Sequence, residues 1–243
     1  WRPDLMHYSD FAEEVARQIG YDQIPNRLPI GKSGGKLTEI QKRKRFISSY
    51  LSSVGFSEIY SSPFQNQEFI ESLGFSGDRA KSFRIANPMS EEFPVLRTHL
   101  IPGLLQTAVR NIGRGNKDVA IFEIGSIFRN VAKLQSPGEI STSKRPTAET
   151  IKKIYASVPK QTQMMCGLVS GKVLHDGWQG TGSPFEWSEA VQVIRNILDS
   201  LGLKYEITSS DFAPWHPGRC AEFKVDGKAI AHAGELHPKV IEM

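Results

Sequence analysis

The sequence predicts an α+β fold in which an antiparallel β-sheet is flanked by helices. Two observations predict it. In "CAEFKVDGKAIAHAGEL", alternating apolar residues surround Asp226-Gly227, a dipeptide that suits the tight turn of a β-hairpin. Long amphipathic segments such as "PFEWSEAVQVIRNILDSLGL" lie between the strand-like ones, and helices packed on an antiparallel sheet satisfy such an order. No glycine-rich phosphate loop follows a strand, so a Rossmann or P-loop fold has no support.

Composition is that of a globular protein. The 243 residues are 39% hydrophobic and 23% charged, and the net charge of +4 is compatible with an RNA partner. No apolar run has the length of a membrane span. Cys166 and Cys220 lack metal-ligand spacing and the six histidines are scattered, so we expect no zinc site and a cytoplasmic protein with reduced cysteines. Since the chain opens at Trp1 without a leader-like segment, we expect a piece of a longer protein.

The first part of the chain predicts one helix and a linker. In "SDFAEEVARQIG", apolar residues recur every four positions from Phe11 to Ile19, and Gly20 follows, which is typical of an amphipathic helix that ends at a glycine. "YDQIPNRLPIGKSGG" is rich in Pro, Gly and Ser and predicts a linker. We therefore expect two portions, residues 1–30 and residues 31–243.

Helix and strand patterns alternate in the second portion. Helices are predicted in "KLTEIQKRKRFISSYLSSVG", in "NQEFIESLG", from near Pro102 onward, in "PFEWSEAVQVIRNILDSLGL" and at "HPKVIEM". Strands are predicted in "FSEIYSSPF", "DVAIFEIGSIFRN", "QMMCGLVSG" and "KYEITSS", which are rich in β-branched and aromatic residues. The polar segment at about residues 135–160 predicts an exposed excursion with one short helix.

Four carboxylates gather around the first helix: Asp4, Asp10, Glu13 and Glu14. Residue types alone leave two interpretations open. In the first, Ser9 or Asp10 caps the helix and Arg17 pairs with Glu13 and Glu14 one turn away. In the second, Asp10, Glu13 and Glu14 share one helical face and, with Asp4, supply hard oxygen ligands to Mg²⁺ or Ca²⁺.

Several segments resemble class II aminoacyl-tRNA synthetases. "GFSEIYSSP" resembles their motif 1, and "IFEIGSIFRN" resembles the strand of their motif 2. "NPMSEEFPVLRTHLIPGLLQTAVRNIGRGNKDVAIFEIGSIFR", "WRPDL…DFAEEVARQIGYDQIP" and "HPGRCAEFKVDGKAIAHAGELHPKV" are similar to the beta chain of bacterial phenylalanyl-tRNA synthetases. The resemblance covers nearly the whole chain outside residues 135–160. It implies that residues 1–30 end a small insert domain and that residues 31–243 form a class II synthetase-like core.

The resemblance also implies a place in a larger enzyme. Beta chains of this family join alpha chains in an α2β2 heterotetramer that attaches phenylalanine to tRNA, with ATP bound by the alpha chain. The beta-chain core is a catalytically silent copy of the alpha-chain core. Val131 agrees with this, because motif 2 usually carries an acidic residue two positions after its arginine, here Arg129. The resemblance further implies a Mg²⁺ site, shared with the alpha chain, at Asp4, Asp10, Glu13 and Glu14.

Two other functions remain as alternatives, an independently active class II synthetase and a tRNA-binding module without a synthetase partner. Val131 argues against the first. The basic run at residues 42–45 predicts a solvated helix face more than a contact with tRNA phosphates, and Arg97 and His99 predict structural hydrogen bonds. Part of the apolar face of the helix at residues 37–54 is expected to meet a partner subunit, because the resemblance implies that motif 1 helices lie at subunit interfaces in this class.

Overall fold

The computed structural model describes residues 1–28, 31, 34–129, 134 and 137–243. The chain divides into two compact units, Trp1–Thr38 and Glu39–Met243. The domain boundary predicted near residue 30 lies outside the described residues, and so does Val131.

The first unit contains one α-helix, α1 (Tyr8–Ile19), followed by a short 3₁₀ helix at Tyr21–Gln23. The amphipathic helix is confirmed, but the cap predicted at Ser9 or Asp10 is wrong, since His7 is the N-cap residue. Asp10 lies one turn further on and accepts a hydrogen bond from the backbone N–H of His7 at 2.8 Å. Gly20 ends the helix with a φ of 104°, which favours glycine over residues with a side chain.

The second unit is α+β, as predicted. Its helices are α2 (Glu39–Ser53), α3 (Gln67–Ser72), α4 (Ile101–Gly113), α5 (Ala148–Ala156), α6 (Trp187–Ser200) and α7 (Pro238–Ile241). Its strands are β1 (Ser57–Glu58), β2 (Phe64–Gln65), β3 (Phe83–Arg84), β4 (Val95–Leu96), β5 (Val119–Arg129), β6 (Lys160–Ser170), β7 (Glu206–Ser209), β8 (Trp215–Val225) and β9 (Lys228–Leu236).

The described strands form three sheets instead of the single sheet expected. Their orders are β1-β5-β6, β2-β4-β3 and β7-β8-β9. All pairs are antiparallel except β1 with β5. One cause of the difference is local: the segment predicted as one strand, "FSEIYSSPF", divides into β1 and β2. Pro63 lies between them, and the two strands join different sheets.

The predicted hairpin is confirmed. β8 and β9 are antiparallel, and Val225 faces Lys228 across the turn. Asp226 and Gly227 have φ values of 49° and 72°, as a two-residue turn with two positive φ angles requires. The segment "DVAIFEIGSIFRN" predicts either one strand or two strands separated by Gly125, and the structure has one strand, β5, that continues through this glycine without interruption.

Both faces of β5 are covered by helices. On one face, α4 contributes to a buried cluster of Leu104, Ala108, Val119 and Ile121. On the other face, α2 and α6 contribute to a buried cluster of Leu51, Phe122, Ile124 and Ile197. This double coverage explains why β5 is apolar at nearly every position instead of at every second one.

Helix α6 also packs on the sheet that contains β8 and β9. The buried cluster there consists of Leu198, Ala221, Phe223 and Ala233. A single helix therefore lies against two sheets, β1-β5-β6 and β7-β8-β9.

Candidate functional site

Two of the four predicted metal ligands are held by one arginine. The guanidinium of Arg2 donates to Asp4 through Nε at 2.9 Å and through Nη2 at 2.7 Å, and Nη2 also donates to Glu14 at 2.7 Å. Arg17 donates to the other oxygen of Glu14. The hydrogen bond from Arg2 lowers the pKa of Asp4, and Arg2 followed by Arg17 lowers the pKa of Glu14. Both carboxylates are therefore ionised and neutralised within this unit.

The other two predicted ligands have different surroundings. Oδ2 of Asp10 accepts hydrogen bonds from the backbone N–H groups of Met6 and His7 at 2.9 and 2.8 Å, so it satisfies amides that the helix leaves free. Glu13 lies 3.5 Å from the hydroxyl of Tyr21. Of the contacts proposed for the first interpretation, the Glu14–Arg17 pair is present.

The four carboxylates offer suitable atoms for Mg²⁺ but not a formed site. Oxygen ligands are those that Mg²⁺ prefers. However, in the part of the chain that the structure describes, no group of three or more His, Cys, Asp or Glu side chains is arranged to hold a metal ion. The position between Asp4 and Glu14 is taken by the guanidinium of Arg2. These residues on their own therefore do not fit the ion.

A buried charged network is built around strand β5 in the second unit. Nη1 of Arg97 donates to Oε1 of Glu123 at 2.6 Å, and the hydroxyl of Ser61 donates to Oε2 at 2.5 Å. Nε of Arg97 donates to the backbone oxygen of Ser126 at 2.9 Å. The Arg97 and Glu123 side chains are only 7% and 2% exposed. The network ties β5 to the segments after β1 and β4, and the structural role predicted for Arg97 agrees with these contacts.

The absence of a side chain at Gly125 leaves room for the guanidinium of Arg97. A Cβ on Gly125 would overlap the guanidinium of Arg97, so the glycine permits the arginine to cross the face of β5.

Cys166 on β6 faces Glu123 in the strand register. Burial first, and then the charge of Glu123, raise the pKa of the Cys166 thiol to about 12. The thiol is therefore protonated and unreactive at neutral pH.

His99 is a buried neutral histidine at the start of α4. Its Nδ1 accepts a hydrogen bond from the backbone N–H of Ile101 at 3.1 Å. Burial, followed by the positive charges of Arg129 and Arg79, lowers the pKa of His99 to about 3. The structural hydrogen bond predicted for His99 is present, so this side chain positions the first turn of α4.

Aromatic rings surround the second buried arginine, Arg79. Its guanidinium carbon lies 3.2 Å from the ring centroid of Phe212, and Nη1 donates to the backbone oxygen of Ala213 at 2.6 Å. Burial lowers the pKa of Arg79 to about 10, with a smaller contribution from Arg129. The ring of His232 stacks on Phe212 at a centroid distance of 4.3 Å. These contacts fix the segment before β8 against the core.

Glu123, Ser61 and Arg79 are missing from the residues that the sequence singles out. Glu123 carried a usable signal, because it is the only charged residue in the apolar run "VAIFEIGSIF", and a charge in a strand covered on both faces must have a partner. The identity of the partner had no local signal, since Arg97 and Ser61 lie 26 and 62 residues away.

Comparison with known proteins identifies the family. A sequence model of the phenylalanyl tRNA synthetase beta chain CLM domain matches residues 24–243. This chain belongs to that beta-chain family. The resemblance seen in the sequence is thereby confirmed.

Curated members of the beta-chain family match over the whole chain. The phenylalanine–tRNA ligase beta subunit of Cutibacterium acnes is 39% identical over 243 residues, which cover 99% of this chain and 29% of that protein. The beta subunit of Streptomyces avermitilis is 39% identical over 248 residues, covering 100% and 30%. That of Mycobacterium leprae is 37% identical over 244 residues, covering 100% and 29%. This chain thus spans under a third of the length of these relatives.

Among solved structures, a pyrrolysyl tRNA synthetase from Desulfitobacterium hafniense superposes with a TM-score of 0.49 and 14% identity, covering 80% of this chain and 55% of that one. Over the described residues, no helix is both long and apolar enough to cross a membrane.

Proposed function

We propose that this chain acts within the beta subunit of a phenylalanine–tRNA ligase, as a non-catalytic core that supports the alpha subunit. The complete α2β2 enzyme attaches phenylalanine to tRNA in the cytoplasm, and ATP is bound by the alpha subunit. The observation that carries this proposal is the beta-chain family match across residues 24–243. The names of the relatives agree with it.

The side chains near motif 2 support the non-catalytic role. Glu123 is committed to Arg97 and Ser61 in a buried network, and His99 is neutral and bonded to the start of α4. The sequence places Val131 where an acidic residue is usual. Arg129 is half-buried, and desolvation lowers its pKa. The charged and polar side chains of this region thus stabilise the fold. We therefore propose that the class II synthetase-like core acts as a scaffold for the alpha subunit.

The proposal is tested by charging the face of α2 that we expect to meet the alpha subunit. Ile40 is 68% exposed on this helix. We expect Ile40→Asp to weaken association with the alpha subunit at least tenfold, because an unpaired carboxylate at an apolar interface loses its hydration. Co-expression followed by sedimentation measures the association, and unfolding in urea should stay close to that of the parent chain.

A matched control is Tyr155→Asp on α5, which is also exposed but lies outside the expected interface. It should leave association unchanged. Equal association of the Ile40→Asp variant and the parent would contradict the interface. Exchange of pyrophosphate into ATP by this chain alone would favour an independently active synthetase. Salt-dependent tRNA binding without affinity for an alpha subunit would favour a tRNA-binding module.

We further propose that Asp4, Asp10, Glu13 and Glu14 take part in a Mg²⁺ site only when the alpha subunit supplies additional ligands. The support is chemical, since all four offer carboxylate oxygens. In this chain Arg2 already neutralises Asp4 and Glu14, so the isolated chain is expected to bind Mg²⁺ without saturation in the millimolar range.

Isothermal titration of MgCl₂ into the α2β2 complex tests this site. We expect saturable heat from the parent complex and a loss of that heat in Asp10→Asn/Glu13→Gln, since two anionic ligands become neutral. Asparagine keeps an oxygen that can accept the hydrogen bonds at the start of the helix. The variant therefore removes negative charge without removing the contacts that stabilise α1. Glu149→Gln, on exposed α5, is the control. Indistinguishable heats from the parent and the double variant would rule out the assignment.

A further inference from the structure

A tryptophan occupies the tip of a hairpin that follows β6. The N–H of Phe185 donates to the oxygen of Gly171 at 2.8 Å, and Gly177 and Gly180 exchange both backbone hydrogen bonds at 3.1 Å. Residues 171–185 therefore fold back on themselves, with Trp178 at the tip, and we call this segment the tryptophan hairpin. Trp178 is 94% exposed, so its ring contributes almost nothing to the core of the fold.

Hydrogen bonds fix the tryptophan hairpin to the turn between α4 and β5. In that turn, Oδ1 of Asp118 accepts from the backbone N–H of Lys172 at 2.9 Å, and Oδ2 lies 3.1 Å from Nδ1 of His175. Within the hairpin, Asp176 accepts from Nζ of Lys172 at 2.6 Å and from the backbone N–H of Gly182 at 2.8 Å. The hydrogen bond from Lys172, and then that from Gly182, lower the pKa of Asp176. Both carboxylates are thus occupied by groups of the hairpin itself.

Two glycines permit close packing of the hairpin. A Cβ on Gly171 would overlap the side chain of Asp118 and the backbone oxygen of Lys117. A Cβ on Gly182 would overlap the backbone of Leu174. The segment that carries the exposed ring is therefore braced at both of these points. A braced loop loses little conformational entropy when it binds, so an exposed aromatic ring on it is suited to contact with another molecule.

Three cations without a carboxylate partner lie beside the hairpin. Arg110 belongs to the last turn of α4, and Arg114 and Lys117 follow in the turn to β5. All three are exposed, and none takes part in an ion pair within the described ranges. The dipole of α4 accounts for Arg110 at the end of the helix, whereas Lys117 lies beyond that end. This surface therefore carries an excess of positive charge.

The tryptophan and the cations belong to one surface. Asp118, which follows Lys117, lies against His175. Three residues of chain span at most about 11 Å, so Trp178 lies within that distance of His175. A cleft of about 520 Å³ opens beside the turn, and Asn116 and Lys117 help to line it. Basic side chains beside an exposed aromatic ring are the combination with which proteins bind unpaired stretches of nucleic acid.

We propose that Arg110, Arg114, Lys117 and Trp178 form a surface of the beta subunit that binds tRNA. The cations contact phosphates, and the indole ring stacks on a base that is unpaired in the folded RNA. Stacking needs no particular base, since every base has a π face. The inference rests on the proposed function, because a phenylalanine–tRNA ligase must hold its tRNA, and it adds the place on this chain where the RNA is held.

RNA fits this surface better than a protein does. Val173 and Leu174 are also exposed, at 43% and 64%, so the hairpin offers apolar area to either kind of partner. The unpaired cations decide between the two. A protein would have to supply several carboxylates opposite Arg110, Arg114 and Lys117, whereas every nucleotide supplies a phosphate. Docking of the alpha subunit on the hairpin is therefore the competing outcome of the test.

Binding of fluorescently labelled tRNA specific for phenylalanine to the complete α2β2 complex tests the surface. We expect Trp178→Ala to raise the Kd at least about fivefold without changing the slope of log Kd against log salt concentration, because the lost ring carries no charge. Arg114→Gln/Lys117→Gln should raise the Kd at least about tenfold and lower that slope by about one to two. Fluorescence anisotropy from about 50 to 200 mM KCl measures both quantities.

A conservative variant and a distant variant are the controls. Trp178→Phe keeps a ring that stacks, so it should retain most of the affinity that Trp178→Ala loses. Lys204→Gln/Lys228→Gln removes the same charge from exposed positions outside this surface, and it should leave the Kd and its salt dependence unchanged. An equal loss of affinity in this distant variant would overturn the assignment, since total charge would then be responsible.

Two further results would overturn the proposal. One is parent-like affinity for tRNA in either Trp178→Ala or Arg114→Gln/Lys117→Gln. The other is loss of α2β2 assembly in these variants, measured by sedimentation, which would identify the hairpin as a contact with the alpha subunit. The proposed function is judged separately on the parent: it fails if the parent beta subunit neither assembles with the alpha subunit nor supports attachment of phenylalanine to tRNA.

Discussion

Replacing Glu123 with glutamine is expected to lower the free energy of unfolding of the second unit by about 3–5 kcal/mol. The carboxylate accepts hydrogen bonds from Arg97 and Ser61 and is only 2% exposed. Glutamine has a similar shape but no charge, and it turns an N–H group toward one of the two donors. The guanidinium of Arg97 then stays buried without its counter-charge. Urea-induced unfolding, monitored by far-UV circular dichroism, measures the change.

Removal of both charges is the informative control. Arg97→Met/Glu123→Leu leaves no unpaired charge in the core, and such replacements are often nearly neutral. We therefore expect the double variant to be more stable than Glu123→Gln. Lys153→Ala, at the exposed Glu149–Lys153 pair, should leave stability unchanged within error. A loss under about 1 kcal/mol for Glu123→Gln would show that the network contributes no more than a surface pair.

Local features of the fold could be predicted from the sequence. The hairpin at Asp226-Gly227 is determined by the two positive φ angles of its turn and by the alternation around it. The same holds for α1, whose apolar period and terminal Gly20 lie within one short segment. The predicted N-cap was wrong by two or three residues. The helix begins after His7 because the carboxylate of Asp10 accepts hydrogen bonds from the backbone amides of Met6 and His7. The sequence alone does not determine which of several neighbouring polar residues takes the N-cap position.

Pairing over long distances could not be predicted in the same way. The division into three sheets depends on which strands meet, and β1 joins β5 across more than sixty residues.

The contacts of the acidic cluster lie between these two cases, since their partner Arg2 is near in sequence but outside the helix. Arg2 holds Asp4 and Glu14, and it is close in sequence, but the helix periodicity that relates Glu13, Glu14 and Arg17 does not extend to the residues before His7. A count of all charged residues in the first unit would have included Arg2 as a partner for these carboxylates.

Acidification is expected to destabilise the second unit through His99. The pKa of this buried histidine is lowered to about 3 in the folded protein, against about 6.5 for an unfolded histidine. The unfolded state therefore binds the extra proton first as the pH falls. Stability from this group is complete above pH 6.5 and declines below it by up to about 1.4 kcal/mol per pH unit. Between pH 6.5 and pH 4.5 we expect a loss of about 2–3 kcal/mol, measured by urea unfolding at each pH.

His99→Asn isolates this contribution, because asparagine has an oxygen near the position of Nδ1 and can accept the hydrogen bond from the N–H of Ile101 without titrating. Protonation of His99 would remove that acceptor and bring a third positive charge close to Arg79 and Arg129. His232, whose pKa is also lowered, chiefly by burial, titrates in the same direction in both proteins, as do the carboxylates. The difference between the parent and His99→Asn thus cancels their effects. If the two proteins lose stability in parallel down to pH 4.5, the neutral histidine at the start of α4 is not the group that responds to acid.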